Sequence, residues 1–281
     1  MPIVAKSILV VAKSILALLL LTLINFSGFA QDTIAVNKTI RHTIKSEYLN
    51  ENRDYWISLP IRYSDSLEYP VIYVFDAEWR FELVRNIAFD WGANEKIQNA
   101  IIVGIPHIDW RKKRGQDLTF SHSTYEYDGE QVDSTWYNDS NSGNGLNFYK
   151  YLTKELIPNV NRTYSTNNHE TLIGHSYGGY FGGYILSLDH PFDSIHIYDP
   201  SIWFSNGEVT EAFKNTRYTK ATKIHITYQP EPEFHKRKIE EFIEALERNK
   251  NITLTKTFYP NETHNSLYID SFYQGIIKTN K

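Results

Sequence analysis

The stretch Gly174-His-Ser-Tyr-Gly178 matches the pattern G-x-S-x-G, with Ser176 at its centre. A short strand-like run, Thr171-Leu-Ile173, precedes the pattern, and a glycine-rich helical stretch follows it. This order of strand, sharp turn and helix predicts that Ser176 is a nucleophile held on a strained turn. The flanking glycines fit such a turn, because a residue two positions before or after the serine has no room for a side chain. The alternative is a glycine-rich turn in which Ser176 only caps the helix.

Strand and helix patterns alternate along the first half of the chain. Residues 37–60 alternate between polar side chains and apolar or aromatic ones, which predicts two antiparallel strands. The apolar runs at 71–75 and 100–105 predict buried parallel strands, and residues 80–96 between them predict a crossover helix. Residues 107–145 are polar and predict a long loop, typical of a lid or a binding loop.

The second half continues this alternation. Further strands are predicted at 171–173, 194–198, 221–228 and 252–259, with helices at 146–156 (ending near Pro158), 176–188, 235–248 and 266–279. Two leading antiparallel strands followed by alternating strands and helices predict one α/β domain. Its sheet should be mostly parallel, with antiparallel N-terminal strands and with helices on both faces.

The composition limits the possible functions. The chain has 281 residues and a formal net charge of −4, so it lacks the excess of basic residues that is typical of nucleic-acid-binding proteins. It has no cysteine, which excludes disulfides, thiolate zinc sites and a cysteine nucleophile. The sequence has no H-x-x-x-H spacing and no credible phosphate-binding glycine loop. We therefore expect no nucleic-acid partner, no metal and no cofactor.

The N-terminus has the features of a secretory signal peptide. Two lysines precede the apolar run from Ile15 to Ile24, and small residues follow in Gly28-Phe-Ala30. We expect cleavage after Ala30, so that residues 31–281 form an exported domain, periplasmic or secreted. The alternative is a leader that is retained as a membrane anchor. No later apolar run of the sequence is long enough to cross a bilayer.

A serine nucleophile needs a base within hydrogen-bonding reach, and histidine most often fills this role. His264 lies in a loop just past the last predicted strand, at the carboxyl edge of the sheet where ligands bind. His225, inside a strand, and His175, inside the motif, are expected to pack, whereas His107 could line the cleft. We therefore predict His264 as the base.

The third member of such a triad orients the imidazole and should follow the strand at 221–228. Glu231 is the preferred acid, and Glu233 is the alternative. Both glutamates could instead be solvated loop residues, and Asp199, after an earlier strand, is a weaker candidate. The order serine, acid, histidine along the chain is the one found in α/β-hydrolases.

Stabilisation of an oxyanion requires two N–H donors aimed at the developing charge. One donor would be the backbone N–H of Tyr177, directly after the predicted nucleophile. The other should come from the loop Asp76-Ala-Glu-Trp79, which follows a buried strand.

Several stretches resemble the Putative esterase family of α/β-hydrolases, and the elbow resembles its enterobactin and siderophore esterase branch most closely. The matching stretches are Val71–Ala77, Arg114-Gly-Gln-Asp-Leu-Thr119, Lys154-Glu-Leu-Ile-Pro158, Ile173–Gly179, Asp199-Pro-Ser-Ile-Trp203 and His264. The resemblance implies an α/β-hydrolase fold, ester hydrolysis, and oxyanion donors at the backbones of Glu78 and Tyr177. The chain departs from the family pattern at Ala77, where a glycine is usual, and at Gln229-Pro230.

We therefore predict a serine esterase that hydrolyses small carboxylic esters, siderophore esters among them, through an acyl-Ser176 intermediate. The alternative is a catalytically inactive protein of the same fold that binds a ligand or partner through residues 107–145. The basic run Arg111-Lys-Lys-Arg114 is interpreted as a solvated loop. The alternative interpretation is that this run attracts an anionic substrate.

Overall fold

An eight-stranded sheet organises the part of the chain that the structure, a computed structural model, describes: residues 38–110 and 112–279. The leader and cleavage site predicted within residues 1–30 lie outside this part, as does Arg111. The strands are β1 (Thr39–Ser46), β2 (Glu51–Ser58), β3 (Tyr69–Phe75), β4 (Ile101–Ile105), β5 (Thr166–His175), β6 (Ser194–Tyr198), β7 (Thr222–Tyr228) and β8 (Ile252–Phe258).

The strand order across the sheet is β1-β2-β4-β3-β5-β6-β7-β8. The first two strands pair antiparallel with each other, and β2 also pairs antiparallel with β4. All the remaining pairs are parallel. The prediction of a mostly parallel sheet with antiparallel N-terminal strands is thereby confirmed.

The helices cover both faces of this sheet. They are α1 (Ala77–Ala93), α2 (Lys113–Leu118), α3 (Gly145–Lys150), α4 (Ile157–Thr163), α5 (Tyr177–Tyr184), α6 (Glu208–Lys214), α7 (Glu233–Glu247) and α8 (Leu267–Thr279). Successive side chains of a strand point to opposite faces. In β3, accordingly, Tyr73 joins the core beneath α5 and α7, whereas Ile72 and Val74 join the core beneath α1 and α8.

Two sequence expectations for the elements need correction. The helix expected to end near Pro158 continues to Thr163, because a π-helical segment, Tyr151–Leu156, precedes the proline. A π segment changes the local hydrogen-bond pattern, and the helix can therefore accommodate a residue that lacks an N–H. The expected loop at 107–145 contains α2, which buries Asp117 and Leu118.

No helix among the described residues combines the length and the apolar character needed to cross a membrane.

Several histidines are buried inside the fold. His225 lies within β7 beside His196 of β6, and both side chains are fully buried. Burial, with a further contribution from Lys278, lowers the pKa of His225 to about 4. Burial likewise lowers the pKa of His190 to about 4, and its ring lies 3.0 Å from the Tyr218 hydroxyl. These rings are therefore neutral in the folded protein at neutral pH.

The buried histidines predict acid sensitivity. The unfolded chain binds protons on histidine below about pH 6.5, while folded His190 and His225 stay neutral until about pH 4. The unfolded state therefore binds more protons in this window, and the free energy of unfolding decreases as the pH falls. We expect a decrease of about 3 kcal/mol for each such histidine between pH 7 and pH 4.

Urea unfolding of wild type and His225→Leu at several pH values measures this slope. The variant should lose part of the slope, whatever its absolute stability. His122→Gln removes a loop histidine whose side chain is 41% exposed and serves as the control, with the wild-type slope expected. A His225→Leu slope equal to that of wild type would contradict the explanation.

Candidate active site

Ser176 occupies a sharp turn between β5 and α5. Its backbone has φ 60° and ψ −120°, a strained conformation for a residue with a side chain. A Cβ added to Gly174 would lie 2.2 Å from the carbonyl oxygen of Gly178, and one on Gly179 would lie 2.9 Å from Pro200. Gly174 is therefore required by the close approach of strand and helix, and Gly179 by the close approach of the segment that follows β6. The local geometry is that of a nucleophile elbow.

The Ser176 side chain faces a cavity of about 400 Å³ at the carboxyl edge of the sheet. The cavity is lined by Tyr127, Ser176, Tyr177, Ser201, Trp203, Gln229, Glu231, Pro232, His235, His264 and Asn265. The Ser176 hydroxyl lies 3.4 Å from the Ser201 hydroxyl, a long and weak hydrogen bond. Ser176 and His264 thus share one cavity, although no direct hydrogen bond joins them among the described residues.

His264 is oriented by Asp199 and by neither of the predicted glutamates. Its Nδ1 lies 2.6 Å from Asp199 Oδ2, and the Asp199 side chain is fully buried. Glu231 is exposed, and Glu233 pairs with Lys236 while its side chain is 74% exposed. The preference for Glu231, with Glu233 as alternative, is therefore corrected in favour of Asp199.

The topology explains this correction. Asp199 follows β6, which is the direct neighbour of β5 and so lies closer to the elbow than β7 does. The segment after β7 contributes Gln229 instead, whose Nε2 donates to Asp199 Oδ2 at 3.2 Å. The acid still stands between serine and histidine in the chain, so the order does not distinguish the candidates.

The second oxygen of Asp199 faces a residue that sequence reasoning missed. Asp199 Oδ1 lies 3.1 Å from Nε2 of His235, a buried residue at the start of α7. Burial by itself would raise the pKa of Asp199, but its contacts with His235 and His264 lower it overall. The carboxylate is therefore ionised at neutral pH. His235 also lines the cavity, but a single histidine at the start of a helix belongs to no motif that could have revealed this position.

His175 holds the loop that carries His264. Its Nε2 lies 2.9 Å from the backbone oxygen of His264, and the two rings lie 4.6 Å apart. Burial, with the proximity of His264, lowers the pKa of His175 to about 3. The neutral ring can therefore donate its Nε2 proton to the His264 carbonyl. The sequence indicated only that this side chain packs.

The predicted oxyanion donors lie at two neighbouring helix N-termini. α1 begins after Asp76 and α5 begins after Ser176, and their preceding strands β3 and β5 pair directly. The first N–H groups of a helix have no partner within it. The backbones of Glu78 and Tyr177 belong to these first turns. Ala77 has a helical φ, so the glycine usual in the family is not needed there for conformation.

Arg114 joins these two helix starts. Its Nε lies 2.5 Å from Asp76 Oδ1, and its Nη2 lies 2.9 Å from Asp76 Oδ2 and 3.2 Å from the His175 oxygen. The Arg114 side chain is only 15% exposed. It is therefore neither part of a solvated loop nor an attractor of anionic substrate, because Asp76 neutralises its charge.

His107 contacts two buried carboxylates, one of which is Asp76. Its Nδ1 lies 3.1 Å from Asp117, and its Nε2 lies 3.4 Å from Asp76. Burial opposes its charged form, but the two carboxylates raise the pKa of His107 to about 9. Asp117 in turn pairs with Arg53 at 2.6 Å. His107 thus belongs to a buried ionic network and does not line the cavity at Ser176.

Comparison with known proteins identifies the family. The model of the family described as Putative esterase matches residues 46–268. The chain belongs to this family. Comparison with curated protein sequences finds no matching relative. The family assigns the chain to the ester hydrolases, which act on small-molecule esters.

Several solved structures have the same fold as this chain. An IroE-like serine hydrolase from Shewanella oneidensis is 26% identical, with a TM-score of 0.75 over 86% of this chain and 79% of that chain. The BES protein from Bacillus cereus is 21% identical, with a TM-score of 0.76 over 89% and 99%. The siderophore hydrolase EstB from Aspergillus nidulans is 18% identical, with a TM-score of 0.70 over 88% and 96%.

These likenesses confirm the predicted α/β-hydrolase fold, and the first of them supports the resemblance to the siderophore-esterase branch. The other two, at lower identity, show a shared fold.

The position of Asp199 predicts how the acid candidates differ. Asp199→Asn should lower kcat/KM for an ester by about a thousandfold, because the amide cannot stabilise an imidazolium and favours the wrong tautomer of His264. Glu231→Gln and Glu233→Gln should stay within about threefold of wild type, since both side chains are exposed and the hydrogen bond to His264 Nδ1 comes from Asp199. Steady-state hydrolysis of p-nitrophenyl butyrate measures all three. A large loss in Glu231→Gln with an active Asp199→Asn would return the role to the glutamate.

Proposed function

We propose that the protein is a serine carboxylic-ester hydrolase that acts through an acyl-Ser176 intermediate. The observation that carries this proposal is the strained elbow serine in one cavity with His264, whose ring is oriented by the buried Asp199. A serine hydroxyl is a weak nucleophile until a neighbouring base accepts its proton.

The first half-reaction forms the acyl-enzyme. Ser176 Oγ turns from Ser201 toward His264 Nε2, and the weak 3.4 Å contact makes this rotation inexpensive. Oγ attacks the ester carbonyl carbon while Nε2 accepts the serine proton. Asp199 stabilises the resulting imidazolium through Nδ1. The carbonyl bond then reforms, and the alcohol leaves with the proton from Nε2.

The second half-reaction releases the acid. A water molecule gives a proton to His264 Nε2 and attacks the acyl carbon, and Ser176 Oγ leaves with that proton. In both steps the negative carbonyl oxygen would lie between the backbone N–H groups of Glu78 and Tyr177. The Asp76–Arg114 ion pair holds these two helix starts at a constant separation.

Small esters, siderophore esters among them, are the proposed substrates. The cavity of about 400 Å³ is lined by the aromatic side chains of Tyr127, Tyr177 and Trp203, which can pack against the apolar or aromatic part of an ester. The fold shared with a siderophore hydrolase supports this class. A panel of aryl, acetyl-sugar, feruloyl and catecholate-siderophore esters would rank the candidates.

We propose that the protein is exported to the periplasm or secreted after cleavage following Ala30. The support is the sequence pattern of a positive start, an apolar run and small residues. N-terminal sequencing of the protein recovered from fractionated cells tests this, and an intact Met1 would contradict it.

Ser176→Ala tests the nucleophile. Wild type should hydrolyse p-nitrophenyl acetate and butyrate and should be labelled by a fluorophosphonate probe, which reacts only with an activated serine. Ser176→Ala should lose the labelling and lower the turnover by about a thousandfold or more. Ser134→Ala removes an exposed loop serine and should retain both. A wild type that neither turns over esters nor takes up the probe would favour the binding protein without catalysis.

A further inference from the structure

Two buried atoms beside the proposed base are close together without being hydrogen-bonded. Asp199 Oδ1 and His235 Nε2 lie 3.1 Å apart, but their alignment is outside hydrogen-bonding range. Neither atom has another hydrogen-bond partner among the described residues. Asp199 Oδ2, by contrast, interacts with both His264 and Gln229. Oδ2 of this carboxylate is therefore hydrogen-bonded, and Oδ1 is not.

Such atoms call for an explanation, since an unsatisfied buried polar group costs about 1–3 kcal/mol. Asp199 is 0% exposed and His235 is 3% exposed, so bulk water does not satisfy them. Both are also common metal ligands, and His264 offers a third. One ligand atom from each of the three residues lies within 4.8 Å of the others.

The separation between Asp199 and His235 suits a small divalent ion. Zinc bonds to histidine nitrogen and carboxylate oxygen are about 2.0–2.1 Å long, so a 3.1 Å separation corresponds to an angle of about 98° at the metal. This angle is close to tetrahedral. Two imidazoles and one carboxylate favour zinc or a similar transition metal over magnesium or calcium, which take oxygen ligands. The cavity would leave a fourth position open to water.

We infer that Asp199, His235 and His264 form a binding site for a zinc-type divalent ion, and that the bound ion switches off the esterase reaction. This inference rests on the proposed function for its consequence and not for the site itself. The metal takes the lone pair of His264 Nδ1, and the ring proton moves from Nδ1 to Nε2. No proton is gained or lost by the ring.

Inhibition follows from that tautomer. With a proton on Nε2, His264 has no lone pair to accept the proton of Ser176, and the nucleophile stays inactive. The metal also occupies Asp199, which would otherwise orient the ring. Metal binding and acyl transfer therefore compete for the same two side chains.

Metal binding is tested first in Ser176→Ala, which keeps all three ligands and lacks the proposed nucleophile. Addition of Co²⁺ should produce the visible absorption of a tetrahedral nitrogen and oxygen site, and one equivalent of ZnCl₂ should abolish it. His235→Gln in this background should weaken Zn²⁺ binding by at least about tenfold in titration calorimetry. His122→Gln, which removes a histidine elsewhere, should bind as the parent does.

Inhibition is tested in the otherwise wild-type chain. ZnCl₂ should inhibit hydrolysis of p-nitrophenyl butyrate, EDTA should restore it, and His235→Gln should shift the inhibition midpoint by the same factor as the binding constant. If His235→Gln does not fold by circular dichroism, Asp199→Asn in the Ser176→Ala background replaces it in the Co²⁺ experiment.

The outcomes separate the two proposals. Absence of the Co²⁺ spectrum, or equal Zn²⁺ affinity in the ligand variants, overturns the metal site. A crystal soaked in ZnCl₂ that shows only water between Asp199 and His235 overturns it as well. If Zn²⁺ binds while the wild type hydrolyses no ester, the site stands and the proposed esterase function fails. If Zn²⁺ binds without inhibiting an active enzyme, the inhibitory role is overturned.

Discussion

The close approach of β5 and α5 at Ser176 is the constraint around which the active site is built. It holds a residue with a side chain at φ 60°, a conformation that costs about 1–3 kcal/mol. Hydrogen bonds on both sides offset this cost, since the Ser176 N–H donates to Tyr198 and the Ser201 N–H donates to the Ser176 carbonyl. The strain persists because the neighbouring strand and loop permit no relaxed alternative, and it lifts the hydroxyl into the cavity.

Two buried ionic groups lie on either side of this turn and differ in how completely their polar atoms are paired. On one side, Asp76 and Arg114 connect the starts of two helices to the carbonyl of His175, at distances of 2.5 to 3.2 Å. The charges of this group are paired, and its contacts connect the helix starts that carry Glu78 and Tyr177. On the other side, Asp199 faces two histidines, and its Oδ1 lacks a hydrogen bond. This second group therefore has a buried carboxylate oxygen without a hydrogen bond, and both proposals for this protein depend on that carboxylate.

The predictable part of the fold is the part encoded by local patterns. Alternation of side chains in 39–58 and apolar runs at 71–75 and 101–105 correspond to strands, because burial on one or both faces leaves a periodic signature. The helix through Pro158 had no such signature. Proline normally ends a helix, and the π-helical turn before Pro158 changes the hydrogen-bond pattern that the proline would otherwise interrupt. The short helix α2 was hidden for a similar reason, since its buried Asp117 resembles a loop residue until its partners Arg53 and His107 are known.

Sequence alone determined the elbow and the histidine that shares its cavity. A tight turn imposes glycines at fixed spacing, and the loop after the last parallel strand must begin at the carboxyl edge of the sheet. Only the tertiary structure decided which carboxylate contacts His264, that His235 lies on its other side, and that Arg114 pairs with Asp76. Asp199 and His264 are 65 residues apart, and Arg114 and Asp76 are 38 apart. Which carboxylate meets which ring depends on strand order and loop path, and these are set by packing that no local pattern records.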